Sequence, residues 1–260
     1  MFKILKTKST YSIEVSYDTD PVNPRHNDNN GKMVCWHSRY NLGDKHNYLN
    51  NDDFLNNMLA SVLGSEEKAE NKYYEIESGL DDPHNMRELH REIIGFLRNS
   101  MIILPLYLYD HSGLTMSTEP FLGKLPHAEW DSGQVGWIYI EKSGFKKLYG
   151  ELSEENMQKA IVDLTAEVDL YGHYIAGENY CLSIYEDGEQ IESISGFTGE
   201  YDDVLKEMSE YVKDMLPREK ITSQEVDDIF GIDSPTTITD VECDTDFAYQ
   251  LANETEEMKL

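Results

Sequence analysis

The sequence predicts an α+β protein in two lobes, with mixed sheets, amphipathic helices and an acidic C-terminal tail. Two patterns predict the class: segments alternating apolar and polar residues with period two, and others repeating apolar residues every three or four positions. A third observation, 39% hydrophobic residues with 17 Tyr and 8 Phe among 260, supplies enough apolar surface for real cores.

Tyr11-Ser12-Ile13-Glu14-Val15-Ser16-Tyr17 alternates as a half-buried strand does, and Met33-Val34-Cys35-Trp36 is a second short strand, after a loop rich in Asp, Asn, Pro and Gly. Asp52 or Asp53 is placed to cap a helix with Phe54, Leu55, Met58, Leu59, Val62 and Leu63 on one face, which Gly64 ends. A polar link follows. Asp82-Pro83 then opens a helix through Met86, Leu89, Ile93, Phe96 and Leu97, leading into the most apolar segment, Met101 to Tyr109. That segment reads as a central strand in which Pro105 demands an edge or a bulge. Residues 110–133 read as a long surface loop and the hinge between lobes, with the strand Val135–Ile140 after it. Ser153 caps a helix with Met157, Ile161, Leu164, Val168 and Tyr171 inward and Glu154, Glu155, Asp163, Glu167 and Asp169 outward. Asp187-Gly188 joins Tyr180–Tyr185 to Gln190–Phe197 as a hairpin. The next helix buries Tyr201, Val204, Leu205, Met208, Val212 and Met215, shows Asp202, Asp203, Glu207, Glu210 and Asp214 to water, and stops at Pro217. From Ser223 onward the period fades. The domains expected are an N-terminal α+β domain over 1–133, an acidic α+β domain over 134–220, and an acidic tail over 221–260, partly disordered or ordered only against a partner.

The formal charge is −28, from 50 Asp and Glu against 22 Lys and Arg. Residues 1–130 hold 19 acidic and 13 basic residues, whereas 131–260 hold 31 and 9. Such a charge repels nucleic acid and anionic membranes and costs stability through self-repulsion, so direct binding to either is excluded. An acidity serving only solubility or a salty habitat would cover both halves alike. No apolar stretch reaches the length of a membrane span, and Met1–Lys6 lacks the apolar core of a signal peptide. Cys35, Cys181 and Cys243 form no CxxC pair, so free thiols in a reducing, cytoplasmic setting are expected.

Three clusters invite a catalytic reading. Cys35, His37, Asp44 and His46 flank a strand and a Gly-containing turn, but lack the paired spacing of a zinc site, so packing or loop roles are expected and no metal. In Asp110-His111-Ser112-Gly113, neighbours on a strand point to opposite faces and cannot form a triad by adjacency; a turn fits better. Trp130-Asp131-Ser132-Gly133-Gln134-Val135-Gly136 places its glycines before a strand rather than a helix, which fits a turn or bulge with Trp130 and Trp137 in the core, not a phosphate loop.

The acidic surface is harder to assign to solvation. Carboxylates at i, i+3 and i+4 stand about 5–6 Å apart on a helix. Two such helices and a tail can lay out a charged strip comparable to B-DNA, with about one charge per 1.7 Å of axis. The strip would include Asp202, Asp203, Glu207, Glu210 and Asp214, assisted by Asp227, Asp228, Asp240, Glu242, Asp244 and Asp246.

The stretches Gly31–Asp44, Tyr107–Gly113 and Trp130–Gly136 resemble a scattered group of phage and mobile-element proteins, over roughly the first 140 residues. That resemblance implies a phage gene acting inside an infected bacterium; it carries over no catalytic residue. The charge resembles that of acidic phage early proteins that mimic DNA, such as host-takeover inhibitors of RNA polymerase and antirestriction proteins.

The function expected is therefore non-enzymatic and cofactor-free: a DNA mimic that occupies the basic channel of a bacterial DNA-binding protein. RNA polymerase, with inhibition of transcription, is the first candidate, and a restriction or CRISPR-type nuclease, as an anti-defence target, the second. The alternatives are a metal- or ligand-binding enzyme built on His37, His46, Asp110, His111 and Asp131, and an assembly adaptor whose tail docks on a basic partner.

Overall fold

A computed structural model describes residues 3–6, 11–216 and 221–231 of the chain. The fold is α+β, and both its sheets are antiparallel rather than mixed. The chain forms two compact units that interleave in sequence instead of dividing near residue 133. The first draws its described residues from 1–27, 112–115 and 170–250, the second from 28–111 and 116–169.

In the first unit the strands β1 (Lys3–Lys6), β2 (Tyr11–Tyr17), β7 (Asn179–Glu186) and β8 (Glu189–Thr198) form a sheet in that order. Tyr11 lies opposite Glu186 and Tyr17 opposite Tyr180, so an N-terminal strand is built into the C-terminal part of the chain. The hairpin expected at Asp187-Gly188 is present, both residues having the positive φ (52° and 87°) that a tight two-residue turn requires. One sheet face, Tyr11, Ile13, Val15, Tyr180, Leu182, Ile184 and Phe197, is buried against two helices. Helix α7 (Tyr201–Met215) contributes Val204, Leu205, Met208 and Val212, and α8 (Ser223–Phe230) contributes Val226 and Phe230. The beginning of the expected tail is thus ordered by this chain itself. Thr222 and Glu225 form a reciprocal capping box at its start, and Gly231, at φ 70°, ends it. The remainder, including Asp240, Glu242, Cys243, Asp244 and Asp246, lies outside the described residues.

The other sheet has the order β3 (Lys32–Cys35), β6 (Ser132–Ile140), β4 (Ile102–Asp110), β5 (Leu114–Ser117), and of these β3, β6 and β4 lie in the second unit. Three helices, α1 (Asn51–Leu63), α2 (Glu66–Ser78) and α3 (Met86–Leu97), bury Phe54, Leu55, Met58, Leu59, Ala69, Leu89, Ile93 and Leu97 against Val34, Ile103, Trp137 and Tyr139. The cap of α1 is Asn50, accepting from the Asp53 N–H at 2.9 Å, not Asp52 or Asp53. Asn85, not Asp82, caps α3. Helix α2 replaces the expected polar link: Ser65 caps it, and its inward stripe is narrow, Ala69 fully buried with Tyr73 and Ile76 partly buried, in an otherwise charged segment. Residues 110–133 are not one loop, since they hold β5 and the short helix α4 (Ala128–Asp131). After a helix α5 (Lys142–Tyr149), the helix from Ser153 is present as α6 (Glu154–Ala176).

The bulge expected around Gly133–Gly136 is present, with Val135 the extra residue between Gln134 and Gly136 opposite β4; Pro105 lies close by in β4. Trp137 is buried, but Trp130 is 83% exposed rather than in the core, because it sits on the outer side of α4. At Gly136, β3 comes so close that a Cβ would stand 1.9 Å from the Val34 carbonyl oxygen. Gly136→Ala should therefore cost about 3 kcal/mol in urea unfolding. Gly133→Ala, where an added Cβ meets nothing within 4 Å, should change it by less than about 0.5 kcal/mol.

Candidate functional site

Helix α7 packs one face on the sheet, so its remaining arc is set outward. At about 100° per residue, Asp203, Glu207, Glu210 and Asp214 fall within an arc of about 60°, over about 17 Å of helix. That gives about one carboxylate per 4–5 Å, against about 3.4 Å per phosphate of one DNA strand. Asp202 stands across from them, with Lys206 and Lys213 between. All five acids are exposed. Two of them are paired on the helix: Asp203 with Lys206 and Glu210 with Lys213, each at 2.7 Å. The Lys206 bond holds the Asp203 carboxyl below its ordinary value. Among the described residues Asp202, Glu207 and Asp214 have no ion pair.

Asp227 is a different kind of acid. It lies 2.5 Å from Lys213 and accepts from the Ser209 hydroxyl at 3.1 Å, fastening α8 to α7. Lys213 is only 16% exposed, and its bonds to Asp227 and then Glu210 push its ammonium above the ordinary value of 10.5. Asp227 is thus a structural contact rather than a surface free for a partner. Asp228 is exposed and bonded to Gln224 on its own helix. On α6 the structure corrects the outward set: Asp163 accepts from the Tyr149 hydroxyl at 2.8 Å, and Glu167 accepts the backbone N–H of Asn30 at 2.6 Å. By unit the charge is also less lopsided than by sequence half. Among the described residues the first unit holds 17 acidic and 5 basic residues and the larger second unit 24 and 13.

In the second unit the candidate histidines separate into different roles. Cys35, His37, Asp44 and His46 do not converge, and among the described residues no group of His, Cys, Asp and Glu is placed to hold a metal. Asp44 accepts the Met33 N–H at 2.8 Å. His46 donates from Nε2 to the Cys35 carbonyl at 2.9 Å, beside the rings of Trp36 and Tyr48. His37 stacks on Tyr40, and burial, then the nearby Arg39, lowers its pKa below 6.5. Arg39 is ion-paired with Asp110. His111 and Asp131, placed in separate clusters by the sequence, meet at 2.7 Å. Both are solvent-accessible, and among the described residues no serine or cysteine is hydrogen-bonded to the pair.

A fourth histidine carries no sequence signal of this kind. The Trp137 indole N–H donates to Asn51 Oδ1 at 2.6 Å, which turns the Asn51 amide N–H toward His90 Nδ1 at 3.1 Å. His90 Nδ1 is therefore an acceptor and Nε2 faces Asp52 at 2.5 Å with the proton. This chain of bonds ties α1, α3 and β6 together. Cys35 is buried and Cys181 half-buried, and burial followed by Asp18 raises the Cys181 thiol pKa, which keeps it protonated and unreactive.

No family model, curated protein or solved structure matches the chain. The fold brings the stretches Gly31–Asp44, Tyr107–Gly113 and Trp130–Gly136 together at one end of the second sheet. Cys35 lies opposite Gly136 and Tyr107 opposite Gln134, while Arg39 reaches Asp110 and His111 reaches Asp131.

Replacing the acid that fastens α8 tests its structural role. Asp227→Asn should cost about 1–2 kcal/mol in chemical unfolding at pH 7. Because the pKa of Lys213 is raised in the folded state, the pair's contribution is complete below 10.5 and is lost as pH rises through the raised value. The difference between the variant and the parent should therefore shrink in the alkaline range above 10.5.

Proposed function

We propose that the protein is a non-enzymatic polyanion that binds the basic DNA channel of a bacterial protein, acting in the cytoplasm of an infected cell as a phage-encoded mimic of DNA. RNA polymerase is the first candidate target and a restriction or CRISPR-type nuclease the second. The observation that supports this most is the outward arc of α7. It presents Asp203, Glu207, Glu210 and Asp214 at near-phosphate spacing on a helix whose other face is locked into a core. The exposed pair of Asp203 with Lys206 exchanges readily for a pair with a partner's arginine, since such pairs contribute little on a surface. Association by this route is electrostatically steered and falls steeply with salt.

A second reading, a ligand-binding or catalytic site in the second unit, is favoured by the convergence of Arg39, Asp110, His111 and Asp131 at one sheet end. The two readings separate in one assay: binding of the full-length protein to purified RNA polymerase, with DNA as competitor. The combined variant Asp203→Asn, Glu207→Gln, Asp214→Asn should bind about tenfold more weakly and with a shallower salt dependence. Unchanged competition by that variant would overturn mimicry by α7. If growth inhibition on expression in bacteria survives that variant but is lost on His111→Ala, the second reading stands instead.

A further inference from the structure

Helices α2 and α3 leave between them a groove of about 570 Å³ in the second unit. Its apolar floor is Ile76, Leu80 and Phe96, all half-buried. Its rim carries Glu75, Asp81, Glu88 and Glu92. The groove already contains one cation. The Lys72 ammonium lies 4.9 Å from the centre of the Phe96 ring and 2.9 Å from Glu75, held between an aromatic face and a carboxylate. Arg91, outside the groove, pairs with Glu88 at 3.0 Å and Glu92 at 3.3 Å, but these contacts are exposed and weak.

The wall of the groove adds a second observation. Gly95 sits inside α3, where glycine destabilises a helix relative to alanine. Its φ is not positive, and an added Cβ would meet nothing within 4 Å, so neither backbone geometry nor packing requires glycine there. A bare helix wall beside an apolar floor lets another backbone approach closely.

We propose that this groove is a docking site for a cationic amphipathic helix of a partner protein. The partner seats aliphatic side chains on Ile76, Leu80 and Phe96, passes its backbone over Gly95, and pairs lysines or arginines with the rim carboxylates. One of its cations takes the place that Lys72 occupies on Phe96. The four rim acids supply the charge complementarity, and the floor supplies selection for an apolar stripe that a uniformly basic chain lacks.

The test uses the full-length protein and a fluorescein-labelled Leu/Lys amphipathic helical peptide, followed by anisotropy. The peptide should bind, a peptide of the same composition with its leucines scattered around the helix should bind at least about tenfold more weakly, and a Leu/Glu peptide should not bind. Gly95→Leu, which fills open space, should weaken binding about tenfold or more, while Gly95→Ala should raise the melting temperature, confirming an intact helix. Lys72→Met should strengthen binding by removing the resident cation, an effect no merely structural role for Lys72 produces. The triple α7 variant should bind the peptide as the parent does, so this proposal and the one for α7 fail independently. Equal binding of the scattered peptide, or indifference to Gly95→Leu, would overturn the proposal. So would a dimer in sedimentation that Gly95→Leu dissociates, which would assign the groove to a second copy of this chain.

Discussion

The first unit depends on a single ladder, the pairing of Tyr11–Tyr17 with Asn179–Glu186. Tyr11 and Glu186 are 175 positions apart, yet the Tyr11 hydroxyl reaches the Glu186 carboxylate at 3.0 Å. The inward residues of these two strands are the floor on which α7 and α8 rest. A 15-residue helix is marginal alone in water. Without the ladder α7 has no surface to bury, and its acids have no fixed direction. The junction is secured by Asn179, 1% exposed, which donates to the Tyr174 carbonyl at 3.0 Å and accepts from the Thr198 hydroxyl at 2.8 Å. Closing so long a loop costs entropy that grows only slowly with length, but pairing strands so distant in sequence is slow. The C-terminal part of the chain must therefore be present before its N-terminal strands can be placed.

How far the sequence foretold this follows from the range of each interaction. Local signals were legible: the Asp187-Gly188 turn, the Gly64 cap, the apolar face of α7 and the alternation of β2 all appear as read, because a turn or an amphipathic period is fixed by residues near in sequence. Partner choice was not. No feature of Tyr11–Tyr17 names Asn179–Glu186 as its neighbour, so a chain read from one end to the other divides near residue 133 when the fold interleaves. Helix α2 escaped because it buries only Ala69 fully, with Tyr73 and Ile76 just partly buried against the core among many charged residues; α8 escaped because eight residues with Val226 and Phe230 inward are too few to show a period. Trp130 was misplaced for the opposite reason, since a bulky aromatic next to a strand reads as core unless its own helix turns it out.

The same distinction sorts the carboxylates. From the sequence, Glu167 and Asp163 are indistinguishable from Glu207 and Asp214, all being acids on the polar arc of a helix, and Asp227 is one more acid of a tail without a period. In the fold Glu167 caps backbone N–H groups of a loop more than 130 positions away, Asp163 fixes a tyrosine, and Asp227 fastens one helix to another. Each is half-buried, and each satisfies a donor that would otherwise be costly to leave unpaired. Part of the excess acidity is thus structural. Among the described residues, the acids of the α7 arc satisfy no buried donor and stay exposed at the surface.

Net charge and local shape then act at different ranges. A charge of −28 attracts any basic surface across about a Debye length, about 8 Å at physiological salt, but does not choose among such surfaces. Choice requires contacts that a diffuse field lacks. On α7, under the proposed mimicry, these would be the spacing of carboxylates along a rigid axis, matched to a partner whose cations repeat at the interval set by a nucleic-acid backbone. In the groove between α2 and α3 they are an apolar floor and a bare helix wall, which favour a partner with an apolar stripe between its cations. A channel shaped for phosphates offers the first and not the second. If both proposals hold, the two surfaces select different binding partners even though both select positive charge, and a single molecule engages both only if it presents a basic channel and a separate amphipathic helix.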